Sequence, residues 1–150
     1  MICNKFLVFG IALTLAAPAP KDAPKKAAPS PIIGDWVCVD LVAGGRMITP
    51  AEMNQVGPMG NEFTADGKHR GRFGAETTEG TFTTDPSKDP AELNCVSAKN
   101  GRSAAGIYRV EKDTLTLCFT EGGVVRPTKF ESPAGTRIML MTFRRVVKKE

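Results

Sequence analysis

The sequence predicts an all-β fold: an antiparallel barrel or sandwich, predominantly up-and-down in order, of about eight short strands with one short helix. Three observations carry this. Apolar residues recur with period two along most of the chain, and no stretch sustains a helical period. Short segments of this kind are separated by turn residues, drawn from 15 glycines and 11 prolines in 150 residues. Between Asn61–Ala65 and Lys68–Phe73 stands Asp66-Gly67, the strongest short-range hairpin signal available to a sequence.

Taken in order, Ile33–Val42 (IGDWVCVDLV) reads as the first strand, ended by Gly44-Gly45. Thr49-Pro50-Ala51-Glu52 is a capping box with proline at the first helical position, so the single helix starts there. The Asp66-Gly67 hairpin supplies the second and third strands. Gly80–Thr84 is the fourth, closed by the Asp85-Pro86 and Asp89-Pro90 loop. Glu92–Ser97, Gly106–Val110 and Thr114–Thr120 continue the series, and Thr136–Val147 ends it with a longer, more apolar run. An internal echo supports a meander: Gly80-Thr81-Phe82 and Gly106-Ile107-Tyr108 both place an aromatic two residues after a glycine. Glycine lets a strand coil sharply, and the aromatic occupies the bend.

The ends of the chain have a different character. Met1–Lys5 carries one positive charge, and Phe6–Ala16 (FLVFGIALTLA) is a short apolar run ending in small residues, the layout of a secretory signal peptide cleaved after Ala16. An uncleaved membrane anchor is the alternative, although the run is short for a bilayer. Cys3 precedes the apolar run, which is not the arrangement of a lipid-modified cysteine. Ala17–Pro31 (APAPKDAPKKAAPSP) is an extended, semi-rigid tether, and residues 32–150 form the globular domain. The expected destination is therefore outside the cytoplasm, periplasmic or secreted, without stable membrane insertion. The basic pI of about 9.0 is terminal in origin. Eight of the 20 basic residues lie in the terminal segments, which leaves 12 between Ile32 and Phe143 against 14 acidic residues, a net charge of −2. Nucleic-acid binding is not expected of such a body.

Several motifs, taken together and in order, resemble a family. They are GDW (Gly34–Trp36), the Asp66-Gly67 hairpin, GTF (Gly80–Phe82), DPSKDPAEL (Asp85–Leu93), GIY (Gly106–Tyr108), DTLTLCF (Asp113–Phe119) and RPTKF (Arg126–Phe130). They are similar to the lipocalin-like domain family of exported proteins expanded in planctomycete bacteria. The resemblance covers nearly the whole globular part. It implies a small lipocalin-like barrel and brings no assigned activity. The chain departs from the family pattern in the long, methionine-containing segment Arg46–Gly60 at the barrel's entrance.

The residues that could carry chemistry are sparse. His69 is the only histidine, and no second histidine or nearby cysteine completes a zinc set. It stands just beyond a turn and reads as a solvated strand residue. Lys68, Arg70 and Arg72 alternate on one strand face, with Gly71 and Phe73 on the other, and read as a solvated barrel exterior. Contact with an anionic envelope polymer is the other reading. Asp35 with Asp40 and Glu76 with Glu79 lie beside turns or on opposite faces, which gives no acid–base pair. No nucleophile elbow, phosphate loop, CxxC or HExxH occurs. The reading is non-enzymatic, with no cofactor and no metal.

Cys38, Cys95 and Cys118 fall on the first, fifth and seventh predicted strands. No two of these are neighbours in a closed meander. Strands two apart are separated by about 9.5 Å, beyond the roughly 7 Å limit for bridging cysteines, so all three are expected to be unpaired. Cys118 is out of phase with Leu115, Leu117 and Phe119 and should cover the outer face or pack under a loop.

The functional expectation is binding of a small, partly apolar ligand inside the barrel, lined by Phe63, Phe82, Tyr108, Leu117, Phe119, Met141 and Phe143. The same side chains suit a packed core. In that case the protein would be an envelope interaction or inhibitor module binding a protein partner through its loops, with Arg46–Gly60 and the Pro-rich tether as the relevant surfaces. In the last strand Met139, Met141 and Phe143 share one face, and Arg145 continues it. Antiparallel closure onto the first strand then brings Arg145 to Trp36, while Arg144 is solvated. The lipocalin resemblance implies a tryptophan–arginine plug of this kind at the closed end.

Overall fold

The structure, a computed structural model, describes residues 29–148 with the exception of 121 and 124. The apolar segment 1–16 and nearly all of the 17–31 tether lie outside the described residues. Ten elements follow in chain order: β1 (Gly34–Ala43), β2 (Arg46–Met47), α1 (Pro50–Val56), β3 (Met59–Phe63), β4 (Lys68–Phe73), β5 (Glu76–Asp85), β6 (Glu92–Ser97), β7 (Ser103–Glu111), β8 (Thr114–Thr120) and β9 (Ile138–Arg145). Apart from the two-residue β2, each strand pairs antiparallel with its sequence neighbour, and β9 pairs back onto β1. The result is a closed, eight-stranded, lipocalin-like β-barrel with one short helix. Closure removes the exposed strand edges that invite aggregation.

Local chemistry explains the element boundaries. Thr49 caps α1: its Oγ1 accepts from the Glu52 amide, and its own amide donates to Glu52 Oε2 at 2.8 Å, with Pro50 inside the first turn. The β3–β4 hairpin turns through Gly67 at φ +80°, and the Asp66 carboxylate accepts from the Thr64 hydroxyl. A β-bulge in β1 at Val39 shifts the register from Cys38↔Phe143 to Asp40↔Thr142. The extra residue reverses the phase, so Trp36 and Cys38 point inward, Asp40 stays outside, and Leu41 returns to the core.

One end of the barrel is packed shut. Ile32, Trp36, Phe63, Leu115 and Phe143 are almost completely buried there. The indole Nε1 donates to the Ile32 carbonyl at 2.7 Å, which holds the incoming chain across the barrel floor. Arg145 lies over the indole, its guanidinium carbon 4.1 Å from the ring centroid. Gly34 makes room for it. Its φ of +137° disfavours any side chain, and a Cβ at this position would stand 2.6 Å from Arg145 Nη1.

The loop between β8 and β9 covers one outer flank. Arg126 anchors it, donating from Nη1 to the carbonyls of Leu93 (3.0 Å) and Gly106 (2.5 Å) and from Nη2 to Asn94 Oδ1 (2.7 Å). Arg109 stacks over Phe130 at 5.0 Å, and Cys118 Sγ lies 3.5 Å from the Glu131 carbonyl. Ile107 and Cys118, which the strand phase turns outward, are thereby buried under this loop. The expectation that Cys118 packs under a loop matches this geometry.

Candidate functional site

Away from the packed end, the barrel holds a cavity of about 280 Å³. Pockets for drug-sized ligands begin at roughly 300 Å³, so this is a small site. Its apolar wall includes Phe63, Leu93, Leu117, Phe119 and Met141, and its mouth passes Phe73, Glu76 and Arg102 at the β4–β5 and β6–β7 turns. Phe73 is 44% exposed at this rim. Ile48 and Met53 pack against the core from the α1 segment and so cover part of the same end of the barrel.

Of the seven side chains expected to line the interior, Phe63, Leu117, Phe119 and Met141 border the cavity. Phe82, Tyr108 and Phe143 also belong to the barrel interior, but they sit in the packed part. Phe143 is fully buried, Tyr108 lies in the core cluster, and Phe82 packs edge-on against Phe63 at 4.9 Å between centroids. The hollow and the packed core are thus two halves of one barrel. Trp36 and Arg145 lie at the opposite end from the mouth.

His69 requires a correction. It is not a solvated strand residue. Register pairs it with Phe63 on one side and Gly80 on the other, which turns its ring into the barrel. The imidazole lies 5.0 Å from the Phe63 ring, and Nε2 is 2.9 Å from Asn61 Oδ1. Burial holds its pKa down to about 4, from an ordinary 6.5. The signal for this was present in Lys68–Phe73: His69, Gly71 and Phe73 share a face opposite Lys68, Arg70 and Arg72.

That exterior face is exposed and charge-paired: Lys68 with Asp66 at 2.9 Å, and Arg70 with Glu79 at 2.9 Å and Glu62 at 3.6 Å. Glu76 lies at the mouth while Glu79 is engaged with Arg70 outside, and Asp35 meets Lys148 at 3.1 Å. These carboxylates do not converge.

Cys38, Cys95 and Cys118 are all free thiols. Cys95 borders the cavity, and burial pushes its pKa to about 12. Burial raises Cys38 to about 11 and also raises Cys118. Thiolate, the reactive form, is scarce at neutral pH in each case. Among the described residues, no cluster of three or more His, Cys, Asp or Glu is placed to hold a metal ion. No described helix is long and apolar enough to cross a membrane.

The depressed His69 pKa has a thermodynamic consequence. The unfolded chain takes up the proton near pH 6.5 and the folded chain only near pH 4, so stability falls as pH drops through that window. The loss between pH 7 and pH 5 should be about 2 kcal/mol. The lowered carboxyl groups of Glu52, Asp66 and Asp85 act as pH falls from their ordinary values of 4.5 and 3.8 downward, and the thiols stay protonated throughout. Urea unfolding at pH 7 and pH 5 checks this. The difference should disappear in His69→Phe, and an undiminished difference there would remove His69 as its source.

Comparison with protein-family models, with curated proteins and with solved structures finds no match for this chain.

Proposed function

We propose that this chain is an exported, non-catalytic binding protein that takes a small, partly apolar molecule into its barrel. The observation that carries this reading is the hollow of about 280 Å³, walled by Phe63, Leu93, Leu117, Phe119 and Met141. A packed-core interaction module would have no reason to keep it. Large voids are rare in protein interiors because their lining loses dispersion contacts.

A non-catalytic role is supported by the state of the nearby titratable groups. Burial keeps His69 neutral and the Cys95 thiol protonated. For both groups burial is the cause of the shift, and His69 Nε2 meets the Asn61 amide. The resemblance of the GDW, GTF, GIY and DTLTLCF segments to exported lipocalin-like domains supports a location outside the cytoplasm.

The test is titration with a fluorescent apolar probe, using Phe119→Trp as a reporter at the cavity wall. One probe per chain should bind saturably and be displaced by small aromatic compounds. A cooperatively folding protein with no saturable binding would sink the ligand-binding role and leave the protein-interaction module.

A further inference from the structure

The cavity wall is mostly apolar; Arg72, Glu76, Thr78, Ser97 and Arg102 also line it, and one polar pair on it is hydrogen-bonded. Asn61 on β3 and His69 on β4 both border it, joined by the 2.9 Å contact between Nε2 and Oδ1. Between them in register stands Gly71, paired with Asn61. A Cβ on Gly71 would lie 3.2 Å from Asn61 Oδ1 and 3.4 Å from His69 Cε1, so the absent side chain leaves this polar pair facing open space. Phe63 holds the imidazole from the other side, itself braced by Phe82.

The hydrogen bond fixes what the pair has left to offer. With Oδ1 accepting, Nε2 carries the proton, and the free atoms are an acceptor, His69 Nδ1, and a donor, Asn61 Nδ2. Rotating the amide and exchanging the tautomer together gives the same complement, one donor and one acceptor. Neither free atom has a protein partner among the described residues. Neither is an orphaned buried atom, so both can be hydrated when the cavity is empty, and a ligand that satisfies both replaces those bonds where one that satisfies neither forfeits them.

A hydroxyl both donates and accepts. A carboxylate only accepts, and it would have to be desolvated against an apolar wall beside a histidine held neutral. The cations near the cavity, Arg72 and Arg102, are exposed and belong to its rim. Size gives a second limit. A dry apolar cavity of roughly 150 Å³ accepts benzene, so about 280 Å³ corresponds to a molecule of about a dozen non-hydrogen atoms.

We propose that Asn61 and His69 form a polar site on the cavity wall and select an uncharged, hydroxyl-bearing molecule with an apolar body of about naphthalene size. This rests on the binding role proposed above.

The experiment titrates the protein at pH 7.5 by calorimetry with three probes of one shape: naphthalene, 2-naphthol and 2-naphthoate. 2-Naphthol should bind about tenfold or more tightly than either of the others. In His69→Phe, which keeps a ring against Phe63, the advantage of 2-naphthol over naphthalene should disappear while naphthalene binding persists. Asn61→Leu should remove the same advantage and stands in if the histidine variant fails to fold. Naphthalene binding as tightly as 2-naphthol, or 2-naphthoate binding most tightly, would overturn the hydroxyl selection and leave the cavity's binding role standing. No saturable binding of any of the three to the folded wild-type protein would overturn both.

Discussion

Replacing Arg145 with alanine is expected to lower the unfolding free energy by about 3 kcal/mol, whereas Arg144→Ala should change it by less than about 0.5 kcal/mol. The two arginines are adjacent, but the strand alternation separates them. Arg145 is only 28% exposed in its side chain and covers the Trp36 indole at 4.1 Å. Its Nη1 donates to the Ile33 carbonyl at 2.8 Å and its Nη2 to the Pro31 carbonyl at 3.0 Å. The nearby Asp113 carboxylate, 3.6 Å away and largely exposed, adds little. Removing the guanidinium leaves two carbonyls without their donor and uncovers an indole that is 2% exposed. Arg144 pairs opposite Val37 on the outer face and is exposed. Arg145→Lys should fall between the two, because a point charge can remain over the ring but cannot bridge both carbonyls. Urea unfolding monitored by Trp36 emission separates these cases. The spectrum should shift to longer wavelength only when residue 145 is changed. Equal losses at 144 and 145 would refute the assigned phase of β9 and the inward placement of Met141 and Phe143.

Gly80→Ala should cost as much, about 3 kcal/mol, for a steric reason. Gly80 lies within β5, paired with His69 on β4 and Ser97 on β6. A Cβ there would run into the carbonyl oxygen of Val96 and lie 2.8 Å from its carbonyl carbon. Both are backbone atoms of a paired strand and cannot move without breaking the ladder. Gly106 has a milder conflict, 2.8 Å to the Cys118 carbonyl oxygen, and Gly106→Ala should cost less. Gly71→Ala should cost least of the three, under about 1 kcal/mol, because its neighbours are side chains beside a void. Thermal unfolding of the three variants reads the order directly. A Gly80→Ala protein as stable as Gly71→Ala would mean that β5 is not pressed against β6 at this point.

Much of this architecture was legible in the sequence because alternation is local. Period two in Thr114–Thr120 and Ile138–Arg145 gave Leu115, Leu117, Met141 and Phe143 as inward residues. The capping box at Thr49 and the Asp66-Gly67 turn each located one boundary. The GTF and GIY echoes marked two glycines that neighbouring backbone approaches closely. Depth was not legible. Alternation states which way a side chain points but not how far along a tilted, sheared barrel it lies, so Tyr108 and Phe63 looked equivalent although only Phe63 reaches the hollow. His69 was misread because its polar neighbours dominated, although its phase with Gly71 and Phe73 pointed inward. The bulge at Val39 and the burial of Ile107 under the β8–β9 loop depend on partners distant in sequence, which no single segment announces.

The contact between Arg145 and the Pro31 carbonyl brings the entry and the exit of the barrel chain to one place. The chain enters the barrel at Pro31 and leaves β9 at Arg145, and the two points are clasped together on the closed floor. The cavity mouth, past Phe73, Glu76 and Arg102, is at the other end. A partner fused directly at Pro31 or just after Arg145 would therefore start from the floor, at the end away from the mouth.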